Sequence, residues 1–274
     1  EMSASLVGSE MCIRDRFIGA GSDSYKITLT QSDLTKTEGK DWEYSAQVYC
    51  KLSYNNYTVD TKTVTVTINT CTHAKYTHDG KCQQCGEPCS EKVLFIDEDG
   101  IPYSYELHGG EAQVGGILVS GGTFYFVRDT TATLKAGGDE TNKKDVTLDL
   151  QNHEVKTLDL QNCPYNSVTI KNGTISGIET SAPAVLILDS VTTSEMVFSN
   201  WCTLTVKGNC VFEQQVAFHG KTQLQGGTFQ YGINVEPGEQ ALALLADGYA
   251  FADADSNEIL NVSNVDIANR AVKV

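Results

Sequence analysis

The sequence predicts an all-β protein whose C-terminal two-thirds forms a solenoid, a right-handed parallel β-helix. Three observations favour this fold. Short runs of β-branched and aliphatic residues recur from Val93 onward, glycine or asparagine separates the runs, and several short patterns return at near-constant spacing. Self-similarity at a fixed period is typical of solenoids, because each unit can bury its apolar side only by stacking on its neighbours.

The spacing of these runs predicts coils of about 18 residues. Four successive runs begin at near-equal intervals: Ser167–Ile170, Ala184–Leu188, Cys202–Val206 and Lys221–Gln225. A second pattern, Gly-Thr followed by an apolar residue, has its glycines at positions 122, 173 and 227. Each of the two intervals between these glycines is close to three coil lengths, so the glycines are predicted to lie three coils apart. The rival fold is an antiparallel sandwich, whose strands are often joined by Asn-Gly or Asp-Gly hairpin turns. In the coil region, Asn172-Gly173 is the one clear dipeptide of this kind.

Asparagines are predicted at the corners of the coils. Glycine and asparagine tolerate the left-handed backbone that a sharp corner requires, and Asn152, Asn162 and Asn172 stand where runs end. Asn152 and Asn162 close the repeated pattern Leu-Asp-Leu-Gln-Asn. Its aspartates, Asp149 and Asp159, could stack on neighbouring coils and share a cation or a substrate, although solvated outward-facing strand residues are the commoner case.

The first residues, 1–16, stand apart from the rest of the chain. Residues 6–16 read Leu-Val-Gly-Ser-Glu-Met-Cys-Ile-Arg-Asp-Arg, which resembles the translation of a sequencing adapter, the transposon end used in library preparation. The hypothesis is that residues 1–16 derive from the adapter and that the remainder is a metagenomic fragment of a longer protein. Such a segment is excluded from reasoning about the fold.

Residues 17–70 predict a partial β-sandwich. Tyr25–Thr30 and Thr61–Ile68 alternate β-branched and polar residues, which favours half-buried strands. Between them, Asp41–Cys50 ends in Val-Tyr-Cys and resembles the late strands of bacterial immunoglobulin-like domains. Half of such a domain buries too little apolar surface to be stable by itself.

Residues 71–92 form a connector that is rich in cysteine and histidine and lacks the periodicity of a strand or helix. The run Cys82-Gln-Gln-Cys85-Gly86 resembles a zinc knuckle, with two thiolates spaced to chelate one ion and a glycine that permits the tight turn. A structural zinc ion takes four ligands and leaves no open position for catalysis. Cysteines 82, 85 and 89 could supply three ligands, and the fourth could be Cys71 or His73, with His78 next in line.

Two alternatives to zinc remain open for the connector. Disulfides are common in extracellular chains, and a bridge between Cys71 and Cys89 would then be needed because Cys82 and Cys85 are too close in sequence for an unstrained bond. Free thiols are the second alternative. In the coils, Cys163, Cys202 and Cys210 are expected to act as small buried apolar residues.

Residues 93–240 are assigned to the β-helix and residues 241–274 to a cap or exit segment. Within the latter, Leu244–Phe251 predicts a short helix closed by Gly248 and followed by a strand. Terminal units of solenoids are atypical because they must cover an open apolar end.

The order of these elements resembles modular adhesin-like β-helix proteins from the surface of anaerobic Gram-positive bacteria. The specific parts are Asp-Gly-Lys-Cys-Gln-Gln-Cys-Gly at 79–86 and Leu-Leu-Ala-Asp-Gly-Tyr-Ala-Phe at 244–251, and the resemblance spans about residues 45–255. It implies an extracellular or cell-surface location and a non-catalytic scaffold or binding role. A host or cell-wall glycan or protein is then the expected partner.

Charge and hydropathy argue against two classes of partner. The chain has a formal net charge of −15 and a pI near 4.7, so a basic face for nucleic acid is not expected and an anionic membrane would repel it. No apolar run reaches the length of a transmembrane helix, so this fragment is not expected to insert into a membrane.

The alternative function is a polysaccharide-active β-helix enzyme, a lyase or hydrolase. Hydrolases of this kind need paired carboxylates, and no Asp-Asp pair occurs in the coils. Lyases pair an acidic cluster with an arginine, and Arg128 beside Asp129 is the single candidate. The chain is therefore predicted not to be an enzyme. Two acidic stretches, Asp97–Gly100 and Asp253–Asn257, are interpreted as turns rather than calcium loops.

Overall fold

A computed structural model describes most of the chain. The described residues are 2–6, 11–15, 34–49, 51–54, 57–60, 63–114, 118, 120–136, 144–160, 166–179, 185–194, 203–218, 221–235, 240–261 and 267–274. They divide into two compact units, residues 1–73 with 84–86 and residues 74–83 with 87–274, which are described separately. The boundary between the units runs through the connector. Over the described ranges, no helix has the length and apolar character needed to cross a membrane.

The first unit consists of short antiparallel strands. Its strands are β1 (Met2–Leu6), β2 (Met11–Asp15), β3 (Thr35–Lys36), β4 (Glu43–Val48), β5 (Lys51–Tyr54), β6 (Tyr57–Asp60) and β7 (Val64–Asn69). β1 pairs with β2, β5 pairs with β6, and β3, β4 and β7 form a three-stranded sheet in that order.

The three-stranded sheet bears out two of the strands expected from the sequence. β4 lies within the predicted stretch 41–50. β7 overlaps the predicted run 61–68 and ends one residue beyond it, whereas Tyr25–Thr30 and Cys50 lie outside the described residues. Ala46 of β4 is buried, but Val64 and Val66 of β7 remain 58% and 37% exposed. Such poor burial is what a partial sandwich entails. The adapter origin of residues 1–16 stays a prediction.

The second unit is the solenoid. Its first strands are β8 (Val93–Asp97), β9 (Pro102–Ser104), β10 (Glu111–Gln113), β11 (Gly122–Phe126), β12 (Thr130–Lys135), β13 (Asp145–Asp149) and β14 (Glu154–Asp159). The later strands are β15 (Ser167–Glu179), β16 (Val185–Thr193), β17 (Thr203–Phe212), β18 (Val216–Ala217), β19 (Thr222–Phe229), β20 (Ile233–Asn234), β21 (Ala252–Asp253) and β22 (Val272–Lys273).

Two parallel ladders build the solenoid. The first ladder runs through β11, β13, β15, β16, β17 and β19, and the second through β10, β12, β14 and the later halves of β15, β16, β17 and β19. In the first ladder, Val168 pairs with Leu186, Leu186 with Leu204, and Leu204 with Thr222. Each of these steps equals the predicted coil length. The predicted all-β class and parallel β-helix are therefore confirmed.

Alternation along each strand creates the core. One residue of every strand in the first ladder points inward in the same register, and these residues form a buried column: Phe124, Leu148, Ile170, Leu188, Val206 and Leu224. Burial of one such side chain contributes roughly 1.5–3 kcal/mol to stability. Because every coil adds to the same column, the apolar contribution grows with each coil.

Left-handed residues turn the chain at one corner of the later coils. Asn172, Ser190, Gly208 and Gly226 have φ angles of 57°, 58°, 67° and 156°, and they follow one another one coil length apart. Asn152 is also left-handed, with φ 67°. The predicted corner role is thus confirmed for Asn152 and Asn172, while Asn162 lies outside the described residues.

The structure corrects two inferences drawn from the repeats. Asp149 and Asp159 end β13 and β14, consecutive strands in different ladders, so they do not stack on neighbouring coils. The interval between Gly173 and Gly227 does span three coils, because both follow a left-handed corner residue. Gly122 instead begins a first-ladder strand and pairs with Val146, so the interval between Gly122 and Gly173 is not three coils.

Antiparallel strands terminate the ladders at the two ends of the solenoid. β8 pairs antiparallel with β11 at the start of the first ladder, and β22 pairs antiparallel with the later half of β19 at the end of the second ladder. The predicted helix near residue 244 is a single 3₁₀ turn, Ala241–Leu244, and the strand expected after it is β21. Leu244 is buried, and Phe251 lies in the same core cluster. The tail thus covers the apolar end of the solenoid.

Candidate metal centre in the connector

The connector folds into a small hairpin. Isolated antiparallel bridges join Tyr76 to Cys82 and Lys81 to Pro88, and the Cys82 amide donates to the Glu87 carbonyl at 2.8 Å. Gly86 follows the Cys-x-x-Cys run with φ 77°, a conformation that glycine adopts without strain. We call residues 76–89 the knuckle hairpin. Its backbone turns as the Cys-Gln-Gln-Cys-Gly pattern predicted.

Four potential metal ligands lie together at this hairpin. Cys71, His73, Cys82 and Cys85 each offer one ligand atom, and all four atoms lie within 4.8 Å of one another. Cys82 is 3% exposed, and the other three side chains are half-buried. The sequence analysis left the fourth ligand open between Cys71 and His73, and the structure brings both to the group.

The geometry fits a tetrahedral ion. With Zn–S bonds of about 2.3 Å and Zn–N bonds of about 2.05 Å, the ligand atoms of a tetrahedron are about 3.6–3.8 Å apart. The Cys85 Sγ and His73 Nδ1 atoms are 3.8 Å apart, where a sulfur–nitrogen pair in a tetrahedron is expected at about 3.6 Å. Three thiolates and one imidazole also form a donor set that structural zinc sites use. The group could therefore hold a metal ion without large movement of the chain.

Cys89, counted among the ligands in the sequence analysis, lies elsewhere. Its amide donates to the Gly80 carbonyl at 2.7 Å, which aligns Cys89 beside Gly80. Arg128 Nη2 lies 3.5 Å from the Cys89 Sγ and donates to the Ser90 carbonyl at 2.8 Å. Cys89 is a free thiol, so the Cys71–Cys89 bridge needed by the disulfide alternative is not formed.

His78, the next candidate ligand, also points away from the group. Its ring stacks on the ring of Tyr125, with centroids 3.8 Å apart and an interplanar angle of 7°. This contact joins the knuckle hairpin to β11 of the solenoid. The role of His78 in the structure is therefore packing between two segments of the same unit.

The two acidic stretches act as turns, as the sequence indicated. Asp97 Oδ1 accepts the amides of Asp99 and Ile101 at 3.0 and 2.8 Å. Asp253 Oδ1 accepts the amide and hydroxyl of Ser256, and its Oδ2 pairs with Arg270. These hydrogen bonds hold the pKa of Asp253 far below its usual value, the Ser256 amide contributing most.

A column of alternating charge runs along the outside of the first ladder. Asp149 pairs in register with Lys171, Lys171 with Asp189, and Asp189 with Lys207. The Nζ atom of Lys171 lies 3.2 Å from Asp149, and that of Lys207 lies 3.1 Å from Asp189. This column was not predicted from the sequence, although Lys171, Asp189 and Lys207 follow one another one coil length apart.

The second ladder brings two carboxylates side by side. Asp159 pairs in register with Glu179, and Lys135 is the neighbour of Asp159 on the preceding coil. The Lys135 ammonium lies 2.8 Å from Glu111, whose hydrogen bond raises the pKa of that lysine. The carboxylates therefore stand in an ionic network on the solenoid surface.

Comparison with known proteins adds no relative. No protein-family model matches the chain, no curated protein matches its sequence, and no solved structure matches its fold.

Proposed function

We propose that this chain is a non-catalytic scaffold of a secreted or cell-surface bacterial protein, in which a structural zinc ion orders the connector before the β-solenoid. The observation that carries the proposal is the grouping of three cysteines and one histidine at the knuckle hairpin. A set of four protein ligands fills a tetrahedral zinc ion and leaves no position for a substrate or for catalytic water.

Zinc is favoured among metals by the chemistry of the donors. Thiolate and imidazole ligands suit zinc, whereas calcium and magnesium prefer oxygen ligands. A hairpin of this size has little apolar core, so the metal would supply a large part of its folding free energy. Binding also requires deprotonated thiols, so zinc affinity should fall as the pH is lowered.

The scaffold role is supported by how the acidic side chains singled out in the sequence are used. Asp97 and Asp253 cap turns, and Asp149 is paired with Lys171. Side chains committed to the protein's own amides and ammonium groups are poorly placed to act on a substrate. The regular outer faces of the ladders would then present a binding surface to a host or cell-wall glycan or protein.

Zinc content of matched cysteine variants tests the metal site. The 274-residue chain, purified with a reductant and reconstituted with zinc, should bind one ion per chain, and Cys89→Ser should bind the same amount. Cys82→Ser should lose the ion. Cobalt substitution should give strong thiolate charge-transfer absorption in the wild type and weak absorption in Cys82→Ser. Zinc content near zero in wild-type protein, with disulfide-bonded connector cysteines, would contradict the proposal.

Binding and turnover assays test the scaffold role. Protein displayed on a glycan array should bind a defined set of glycans or none, and any glycan that binds should be recovered intact. Incubation with polyuronides should release no unsaturated or reducing ends. Turnover of any polyuronide by the full chain would favour the polysaccharide-active alternative.

A further inference from the structure

The knuckle hairpin packs directly against the segments with which the solenoid begins. Tyr76, the bridge partner of the ligand Cys82, donates its amide to the Gly100 carbonyl at 2.8 Å, and Gly100 lies in the turn between β8 and β9. Gly100 has no room for a side chain, since a Cβ atom there would lie 2.5 Å from the Tyr76 carbonyl oxygen. The backbones of the two segments are therefore in direct contact.

A second set of contacts joins the hairpin to β11 and the residues that follow it. Beyond the stack of His78 on Tyr125, Gly80 packs on Val127, whose side chain would lie 3.3 Å from a Cβ atom at residue 80. Both Gly80 and Tyr76 are buried. These contacts remove water from the backbone at the end of β11.

Gln151, which belongs to the next coil, forms hydrogen bonds with the hairpin. Its Nε2 atom donates to the His78 carbonyl at 2.7 Å and to the Phe126 carbonyl at 2.8 Å. Gln151 has a left-handed backbone, with φ 48°, at the turn between β13 and β14. One amide group thus joins the hairpin, β11 and the following coil.

We infer that the knuckle hairpin is a metal-dependent cap, whose bound ion stabilises the first coils of the solenoid as well as the connector. The inference rests on the zinc site proposed above. A ligand that binds only the folded hairpin stabilises every element that must open together with it. Since the hairpin contacts the turn after β8 and the end of β11, local opening of these strands should become rarer when the ion is bound.

The effect should fade along the solenoid. Each coil of a solenoid contacts only its neighbours, so stabilisation at one end is transmitted weakly to the other. The coils at β11 should therefore respond strongly to the metal, and β19, several coils away, should respond weakly. This gradient separates a cap from a general effect of the metal on the whole chain.

Hydrogen exchange of the full chain, with and without zinc, tests the inference. Zinc at about 100 times its Kd should slow exchange of peptides covering 93–97 and 122–128 by at least about tenfold, with an upper limit near 100-fold. Peptides covering 222–229 should change by less than about twofold. Zinc that binds with one ion per chain but leaves 93–97 and 122–128 unchanged would overturn the cap and leave the zinc site standing.

A variant that loosens the docking provides the second arm. Gln151→Asn keeps a residue that tolerates the left-handed backbone but shortens the side chain, and His78→Ala removes the stack. The double variant should still bind one zinc ion, yet zinc should no longer slow exchange at 122–128. Gln223→Asn, an exposed position on the last coil, is the matched control and should behave as wild type. An unchanged zinc response in the double variant would contradict the docking route.

Discussion

Gly173 gives a sharp test of how closely the coils are stacked. It lies within β15, and its φ is not in the left-handed region, so a substitution there probes space alone. A Cβ atom at Gly173 would lie 2.4 Å from the Leu150 Cβ and 2.7 Å from the His153 carbonyl oxygen. Normal carbon contacts are about 3.5–4.0 Å, and both of these atoms are fixed by the backbone of the preceding coil. No rotamer change can relieve the overlap.

The expected cost of Gly173→Ala follows from these distances. The two coils must separate locally, and overpacking of this kind costs about 1–3 kcal/mol. The hydrogen bond from the Thr174 amide to the His153 carbonyl, 3.1 Å long, would be stretched, at a further cost of about 1 kcal/mol. Alanine gains roughly 0.5–1 kcal/mol over glycine in a strand. The net loss of stability should be about 1–3.5 kcal/mol.

Gly177→Ala is the matched control in the same strand. The nearest atom to a Cβ there is the Thr157 Oγ1 at 3.6 Å, an ordinary contact. This variant should be as stable as the wild type or more stable by about 0.5 kcal/mol. Urea unfolding followed by circular dichroism measures both, provided that the slope m is unchanged. Equal stabilities of the two variants, within about 0.5 kcal/mol, would refute the close stacking of β13 and β15 at Gly173.

Two further predictions concern charge. Hydrogen bonds from the Glu154 amide and the His153 ring lower the pKa of Asp129 in the folded chain. The ionised Asp129 carboxylate should therefore stabilise the fold at pH values above the unfolded pKa near 3.9. This stabilisation should be lost as the pH falls through the lower pKa of the folded state. Asp129→Asn should therefore lower the urea midpoint at pH 7 and leave it equal to wild type near pH 2, and a deficit that persists at pH 2 would argue for a role other than charge. Asp189→Lys would place three lysines in one column, with Lys171 and Lys207 as neighbours, and should cost about 0.5–1 kcal/mol more than Asp189→Asn. The extra cost should shrink in 1 M salt, and a cost insensitive to salt would show that packing rather than charge is responsible.

In the connector, the types of residue predict that a metal site can form, and the fold decides which of these residues are its ligands. Thiols and imidazoles are the ligands of zinc wherever they occur, and the glycine after Cys85 permits the turn, so a metal site could be predicted from the sequence. Five residues were named as candidates for the four ligand positions, and the structure groups four of them. Cys89 is drawn aside by a backbone hydrogen bond to Gly80, a contact between residues on opposite arms of the hairpin that no spacing rule contains.

The solenoid shows the same division. Alternation along a strand and recurrence of short runs can be read directly from the residues, so the sequence alone determined the fold class and the length of the later coils. The steps between the first coils are longer than the repeats predicted. Which coils stack on which is a property of the tertiary structure. The two copies of the repeat that end in Asn152 and Asn162 are closer together than one coil. Their similar sequences suggested that Asp149 and Asp159 stack on each other, but strand pairing assigns these residues to different ladders. The pairing register depends on which side chains fit between adjacent coils, and only the packed structure decides which residues are paired.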